Sequence, residues 1–355
     1  MKSLVLSSLV SVALFSCGPA AAPPVCGADT YPADGFVTNA AAESDLQARF
    51  EAVDAKISEG KTGNPTAAQL EELFSAGAPS LRSVTTQSAS DEISAVFVSV
   101  ESAANAPWTP AEPPVGNGGV YFNHLYNARG IDLGELVEKL VFGGTHFSVA
   151  ASLMTDKATV GDVDRMVALF GTTPDFPMAA PDMFAAKYAK KRTDLAATTP
   201  GPYVAIKAAF MNARAAVKGG SACAAQRTAA FAQIRDQWER TLLGQAINYL
   251  NSAATTLAKT TATQTERAGA LHQAGEALGF LRGLQTLPAQ HRLITDAQLA
   301  EVLTTLGGAS LDGSEAYRYL TDTNGTIDRL GTAVTQLQAA RQFTPEEIAT
   351  FKASY

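Results

Sequence analysis

The stretch Leu271–Gln285, LHQAGEALGFLRGLQ, decides how the rest of the chain is read. At 3.6 residues per turn, Leu271, Ala274, Leu278, Leu281 and Leu284 form one apolar stripe, and His272, Glu276, Gly279 and Gly283 line up roughly opposite. Gly275, Gly279 and Gly283 stand four residues apart. Each costs a helix about 1 kcal/mol relative to alanine, so the three threaten ~3 kcal/mol unless something is gained in return. What glycine offers is close approach of a neighbouring backbone. A helix packed on its leucine face and its glycine face is central to a bundle, and His272 and Glu276 are then partly enclosed.

The same periodicity recurs over Asp132–Thr155, Pro202–Val217, Ala225–Lys259, Thr265–Thr286 and Thr326–Gln342. Capping boxes, which satisfy the unpaired donors of a helix start, are expected at Ser44–Gln47, Thr66–Gln69, Asp132–Glu135, Thr295–Gln298 and Thr344–Glu347. In Ile93–Val100, ISAVFVSV, β-branched residues crowd, and the segment reads as the one strand candidate or as a buried helix. The expected fold class is all-α, a helical bundle of long antiparallel helices with Pro/Gly-rich connections. A helical domain over residues 36–355 has its best internal loop or sub-boundary at Asn105–Gly119, with a second break at Gly171–Asp182. No repeat at a solenoid period is present.

The chain has 355 residues, 46% of them hydrophobic and 17% charged, enough to bury a sizeable core. A net charge of −7 argues against a nucleic-acid partner, and the densest basic run, Lys187–Arg192, reads as a solvated helix face. At the N-terminus one lysine precedes the apolar run Leu4–Phe15, which is too short to span a bilayer and has the layout of a secretory signal. Leu14-Phe15-Ser16-Cys17 resembles a bacterial lipobox, making residues 1–16 a signal peptide and Cys17 the lipidated residue that ties the protein to a membrane. Cleavage after Ala20-Ala21-Ala22 is the alternative; either way the mature protein leaves the cytoplasm. Residues 17–35, rich in proline and alanine, read as a tether. Cys26 and Cys223 can form a disulfide, or Cys223 can be a buried thiol, and no CxxC or Cys/His cluster suggests structural zinc.

An imidazole and a carboxylate at i and i+4 can hydrogen-bond each other or present themselves together to one metal ion. His272 and Glu276 have that spacing, and with no second histidine nearby they do not form the HExxH zinc motif. Along the segment Gln233–Ser252 and the turn before it, Phe231, Trp238, Leu242 and Tyr249 share a side with Gln245, and Glu239 sits at its margin. Glu239 is therefore the candidate third ligand, unless it pairs with Arg235 or Arg240 at the surface. His124, His146 and His291 are isolated and read as loop or packing residues.

The segments DVDRMVALFGTTPDFP, IKAAFMNARAAV, WERTLLGQAINYLNSA, ALHQAGEALGFLRGL and ITDAQLAEVL, with the Lys-Tyr-rich helix around Lys187 and Tyr188, together resemble an uncharacterised family of helical bacterial envelope lipoproteins. That family is similar to the imelysin-like proteins, which are associated with iron uptake and in some cases have been called peptidases. The resemblance covers about Thr159 to Leu306 and leaves residues before Asn117 outside. Imelysins carry Gly-x-His-x-x-Glu, whereas the spacing here is His-x-x-x-Glu, and Arg165 follows Asp164 where the resembling family prefers an acid.

The resemblance implies an envelope lipoprotein, facing the periplasm or the cell surface, that holds a metal ion or small ligand between helices. His272 would be the nitrogen donor and Glu276 and Glu239 the oxygen donors, a set suited to iron or another divalent first-row metal. The competing expectation is a non-enzymatic scaffold whose His/Glu pair only fixes helix register. No Gly-x-Ser-x-Gly, P-loop, dinucleotide fingerprint or other catalytic set supports a peptidase, and Gly116–Gly119 reads as a turn.

Overall fold

The computed structural model describes residues 25–176, 182–197, 200–353 and 355. The expected signal peptide, the lipobox with Cys17, the alternative cleavage site and residues 177–181 of the second break lie outside them. The α-helices run in the order α1 (Phe36–Asn39), α2 (Ala41–Glu59), α3 (Ala67–Ser75), α4 (Leu81–Val84), α5 (Gln87–Ala103), α6 (Leu133–Val141), α7 (Ser148–Leu153), α8 (Val160–Phe170), α9 (Phe184–Lys191), α10 (Pro202–Lys218), α11 (Ala224–Leu257), α12 (Gln264–Gln285), α13 (Asp296–Thr305), α14 (Arg318–Thr321), α15 (Thr323–Arg341) and α16 (Pro345–Lys352). A π-helical stretch, Phe142–Phe147, carries α6 into α7, short 3-10 turns stand at Gly220–Cys223 and Ala289–His291, and β1 (Gly118–Tyr121) and β2 (His124–Asn127) form one small hairpin. The fold class is all-α.

The 34-residue α11 is the axis of the molecule, with α10, α12, α15 and α16 packed along it. Trp238 at its middle is fully buried, stacked on Phe147 with ring centroids 5.1 Å apart. One continuous core runs from Tyr31 to Phe351, so Asn105–Gly119 is a loop leading into the hairpin within a single core. Ile93–Val100 lies inside α5, which settles the strand-or-helix alternative: Ile93, Val96, Phe97 and Val100 fall at helical spacing, and all are buried. The strands form where Gly118 and Gly119 allow a left-handed backbone, so the expected turn at Gly116–Gly119 carries the start of β1.

Capping boxes stand at Thr66, Thr295 and Thr344 as expected, and also at Thr159 and Thr263. The Ser44 box does not form, because Ala40 begins the helix earlier and the Ser44 hydroxyl donates back to the Ala40 carbonyl inside α2. The Asp132 box is half formed. Asp132 caps α6 by accepting from the Glu135 amide, while the Glu135 carboxylate turns away toward Lys139.

The tether ends earlier than residue 35. Cys26 is bonded to Cys223 with Cα atoms 5.5 Å apart, and from there the chain is strapped to the body. The Tyr31 hydroxyl donates to Asp164 at 2.6 Å, and the fully buried Asp164 also accepts from Asn39 (2.7 Å) and Arg214 (3.1 Å). A buried carboxylate needs such partners, and here three separate elements supply them. The run Lys187–Arg192 is a solvated face for its lysines only. Arg192 is buried and donates to the Phe351 and Ala353 carbonyls, closing the C-terminal end of α16.

The glycine flank of α12 packs against α6. A Cβ on Gly275 would lie 3.3 Å from the Asp132 Cβ, one on Gly279 would lie 2.9 Å from Lys139 Cγ, and one on Gly283 would lie 2.2 Å from the Lys139 carbonyl oxygen. The approach tightens along the helix. Gly283→Ala is therefore expected to destabilise by roughly 1–3 kcal/mol through overpacking, while Gly275→Ala, gaining up to about 1 kcal/mol of helix propensity, stays near neutral. Urea midpoints of the two variants measure this, and equal midpoints would show that the two helices do not touch along this flank.

Candidate metal centre

Three elements deliver the polar groups. The hairpin register pairs Tyr121 with His124 around a two-residue turn in which Phe122 (φ 44°) and Asn123 (φ 66°) are both left-handed, as a type I′ hairpin requires. Gly119 fits only as glycine, since a Cβ there would meet the Ala106 carbonyl oxygen at 2.3 Å. After β2, the Asn127 side-chain carbonyl accepts from the amides of Arg129 (3.0 Å) and Ile131 (2.9 Å), folding the chain so that Asp132 caps α6. The α12 helix then lays His272 against that cap because Gly275 leaves room for it.

Asp132 is the hub. Its Oδ1 accepts from the Glu135 amide (3.3 Å), while Oδ2 faces His272 Nδ1 at 2.9 Å and His124 Nδ1 at 3.4 Å. The two imidazoles lie against one another with centroids 3.9 Å apart and planes inclined by 32°. On its other edge, His272 Nε2 meets Glu276 Oε1 at 3.2 Å and Glu135 Oε1 at 3.9 Å. Two sets of possible ligand atoms therefore share His272: His124, Asp132 and His272, and Glu135, His272 and Glu276, each lying within 4.8 Å of one another.

Behind this cluster Lys139 is fully buried, which a lone ammonium does not tolerate. It donates to Glu135 (2.7 Å), Glu138 and the Tyr188 hydroxyl (3.3 Å), and the rings of Phe142, Tyr188 and Phe280 surround it at 5.3–5.4 Å. Burial disfavours its charge, but Glu138, Tyr188, Glu135 and Glu276 outweigh that and hold its pKa well above the usual lysine range.

Burial likewise opposes a charged His272, yet hydrogen bonds to Asp132 and Glu276, with the charges of Asp132 and Glu135, push it up to about 10. Burial would raise the Asp132 carboxyl, and the two histidines pull it well below the carboxylate range. Glu276 is held low in the same way, against its burial, by Lys139, His272 and Tyr249. Glu135 goes the other way, to about 8: burial and the charges of Glu276, Asp132 and Glu138 prevail over Lys139.

The expected pair, His272 and Glu276, is thus brought together, and the expected third group is not. Glu239 is fully buried elsewhere, accepting from the amides of Leu293 (2.6 Å) and Ile294 (3.0 Å), with Arg341 Nε 2.6 Å away. It satisfies the turn that leads into α13, so neither the ligand role nor the pairing with Arg235 or Arg240 describes it. His124, expected as a loop or packing residue, joins the cluster; its signal was the alternating Val-Tyr-Phe-Asn-His-Leu-Tyr run around an asparagine turn. His146 is a core residue, buried between Phe142 and Phe184 without a hydrogen-bond partner among the described residues, and burial lowers its pKa to about 3, which keeps it neutral.

A cavity of about 230 Å³ opens against the cluster, walled by His124, Leu125, Asp132, Gly134, Glu135 and Glu138 on one side and by Asp54, Ile57 and Ser58 of α2 with Lys61 from the turn after it on the other. No protein-family model, no curated protein and no solved structure matches this chain.

Proposed function

We propose that this chain is an exported lipoprotein, anchored through Cys17, that binds one divalent first-row metal ion, iron being the chemically favoured case, between the hairpin, α6 and α12. The observation that carries the metal reading is the convergence of His124 Nδ1 and His272 Nδ1 on a single oxygen of Asp132, at the wall of a cavity. Two imidazoles and one carboxylate with an open side suit such a metal. Glu276 then acts as the carboxylate that orients His272 through Nε2, the usual partner of a metal-bound imidazole. The alternative set of Glu135, His272 and Glu276 is less apt, because Lys139 already occupies the Glu135 carboxylate as a fixed cation.

Export is supported by the apolar run Leu4–Phe15 and by the Cys26–Cys223 bond, a type of crosslink that persists in oxidising compartments. No described helix is long and apolar enough to cross a membrane, so the lipid at Cys17 is the anchor this reading requires. The relation to the imelysin-like proteins belongs to the same proposal and rests on the quoted segments. A second reading, a scaffold in which the cluster only fixes register, is favoured by the self-sufficiency of a protonated His272 held between Asp132 and Glu276.

Elemental analysis and iron(II) or manganese(II) titration of the purified chain decide between them. One equivalent is expected in the native protein and none in His272→Ala or His124→Ala; Asp132→Asn, which keeps the cap, also loses the metal. Glu276→Gln is expected to weaken binding by about 10- to 100-fold. Negligible metal in all forms, with the native fold retained, leaves the scaffold reading standing.

A further inference from the structure

Behind the proposed metal lies a second cation position, which the chain fills with its own side chain. The buried Lys139 ammonium stands 2.7 Å from Glu135 Oε2, pairs with Glu138 as well, and donates to the Tyr188 hydroxyl at 3.3 Å. Glu276 is close enough for its charge to act on the ammonium too. Carboxylate oxygens are the donors a hard divalent ion takes. The ring faces of Phe142, Tyr188 and Phe280, 5.3–5.4 Å from the nitrogen, favour a cation at that point whatever its identity. The fold builds the position deliberately: the lysine stem runs against α12 where Gly279 makes room, since a Cβ there would lie 2.9 Å from Lys139 Cγ and 3.0 Å from Lys139 Cβ.

The two positions are joined. Glu135 holds the ammonium through Oε2 while its Oε1 stands 3.9 Å from His272 Nε2, and donor atoms of Glu135, His272 and Glu276 all lie within 4.8 Å of one another. Lys139 is therefore one carboxylate away from a proposed metal ligand. Asp132, Glu135, Glu138 and Glu276 surround the pair of positions, and across the cavity Asp54 and Lys61 act on each other and leave the sum unchanged. Four carboxylates match two divalent ions as well as they match one ion and an ammonium. Charge alone does not limit the centre to a single metal.

We infer that Lys139 sets the metal count of this centre: its ammonium stands where a second divalent ion would otherwise sit among Glu135, Glu138 and Glu276, and it keeps the site mononuclear. This inference rests on the metal reading above. Lys139 is then a specificity-determining residue that touches no metal. Its covalent tether makes the ammonium a permanent occupant, so excess metal in solution does not displace it.

The test counts ions. Lys139→Met keeps an apolar stem and ends one atom short, so it removes the ammonium and opens its place; Lys139→Ala opens a larger one. The full chain and both variants are equilibrated with manganese(II) and the bound metal is measured by elemental analysis. One equivalent is expected in the native protein even with metal in excess, and two in at least one Lys139 variant. His124→Ala, which leaves the native chain without metal, should leave Lys139→Met with one ion, and Glu138→Gln added to Lys139→Met should return its count to one. Manganese(II) should also raise the urea midpoint of Lys139→Met further than that of the native protein, because the variant gains an additional ion in its folded state. A variant that folds only with manganese present supports the inference. A single equivalent in both Lys139 variants, two equivalents in the native chain, or failure of both variants to fold even with manganese would overturn it with the metal reading intact. No manganese in the native chain would instead remove the metal reading on which it stands.

Discussion

Replacing Cys26 or Cys223 by serine is expected to cost the fold up to about 5 kcal/mol. The bond closes a loop with a sequence separation of 197, and the chain-entropy relation for a crosslink of that span gives a figure of that order. Strain in the native state and residual structure in the unfolded chain reduce it, so the figure is a ceiling. The crosslink does more than close a loop. It holds the segment that carries Tyr31, whose hydroxyl helps satisfy the buried Asp164, and Arg214 both stacks on the Tyr31 ring and donates to the Asp34 carbonyl (3.2 Å). When the strap loosens, Asp164 loses a partner in a place where water does not easily replace it. Urea unfolding with and without reductant measures the effect: Cys26→Ser, Cys223→Ser and the reduced native protein should share one lowered midpoint. A native midpoint indifferent to reductant would show that the bond contributes nothing.

The reason for this strap was not legible in the sequence. Proline and alanine between Cys17 and Gly35 describe a flexible segment equally well whether or not its far half is docked, and only the three-dimensional position of Cys223 decides it. The helices were legible because their apolar residues repeat and their caps are local: α10, α11 and α12 begin and end within a residue or two of the periodic stretches. The glycine flank was legible for the same reason, since Gly275, Gly279 and Gly283 at four-residue spacing demand a close neighbour whatever that neighbour is. Which helix fills the role was not. Nothing in the α12 sequence points to α6, and the Asp132, Glu135, Glu138 and Lys139 set looks like an ordinary capped amphipathic start until it is placed against His272. The hairpin that brings His124 was hidden because Phe122-Asn123 is a turn pair without glycine, and Glu239 was misplaced because burial beside a tryptophan does not say which backbone a carboxylate satisfies.

Lys139 sets the electrostatic balance of the whole site. Asp132, Glu135, Glu138 and Glu276 lie on two packed helices, and the buried ammonium is the one permanent cation among them, since His272 is charged only through its carboxylate partners. Without Lys139 the Glu135 and Glu138 carboxylates face each other and Glu276 with their counter-charge gone. The aromatic cage of Phe142, Tyr188 and Phe280 offers them nothing, because ring faces attract cations and repel anions.

Lys139→Met, close in shape and neutral, is therefore expected to destabilise by about 3–5 kcal/mol at pH 8, the cost of breaking a buried pair on one side. The loss depends on pH with a definite sign. Glu135 is raised to about 8 in the fold against about 4.3 in an unfolded chain, so the folded protein holds the additional proton across that window and stability declines as pH rises through it. Lys139 is the cause that lowers this pKa, and its removal carries the window higher and enlarges the decline. Below about pH 5 Glu135 is protonated in both the native protein and the variant, so its share of the difference between them is gone. Urea unfolding at pH 5 and pH 8 should show a clearly smaller difference between the proteins at the lower pH. The triple variant Lys139→Met, Glu135→Gln, Glu138→Gln, which removes both sides of the pair, should recover most of the loss at pH 8, as replacement of a whole buried ion pair by neutral groups commonly does. Equal losses at both pH values, or no recovery in the triple variant, would mean that Lys139 acts through packing in its aromatic cage and that the carboxylates around it are balanced by other means.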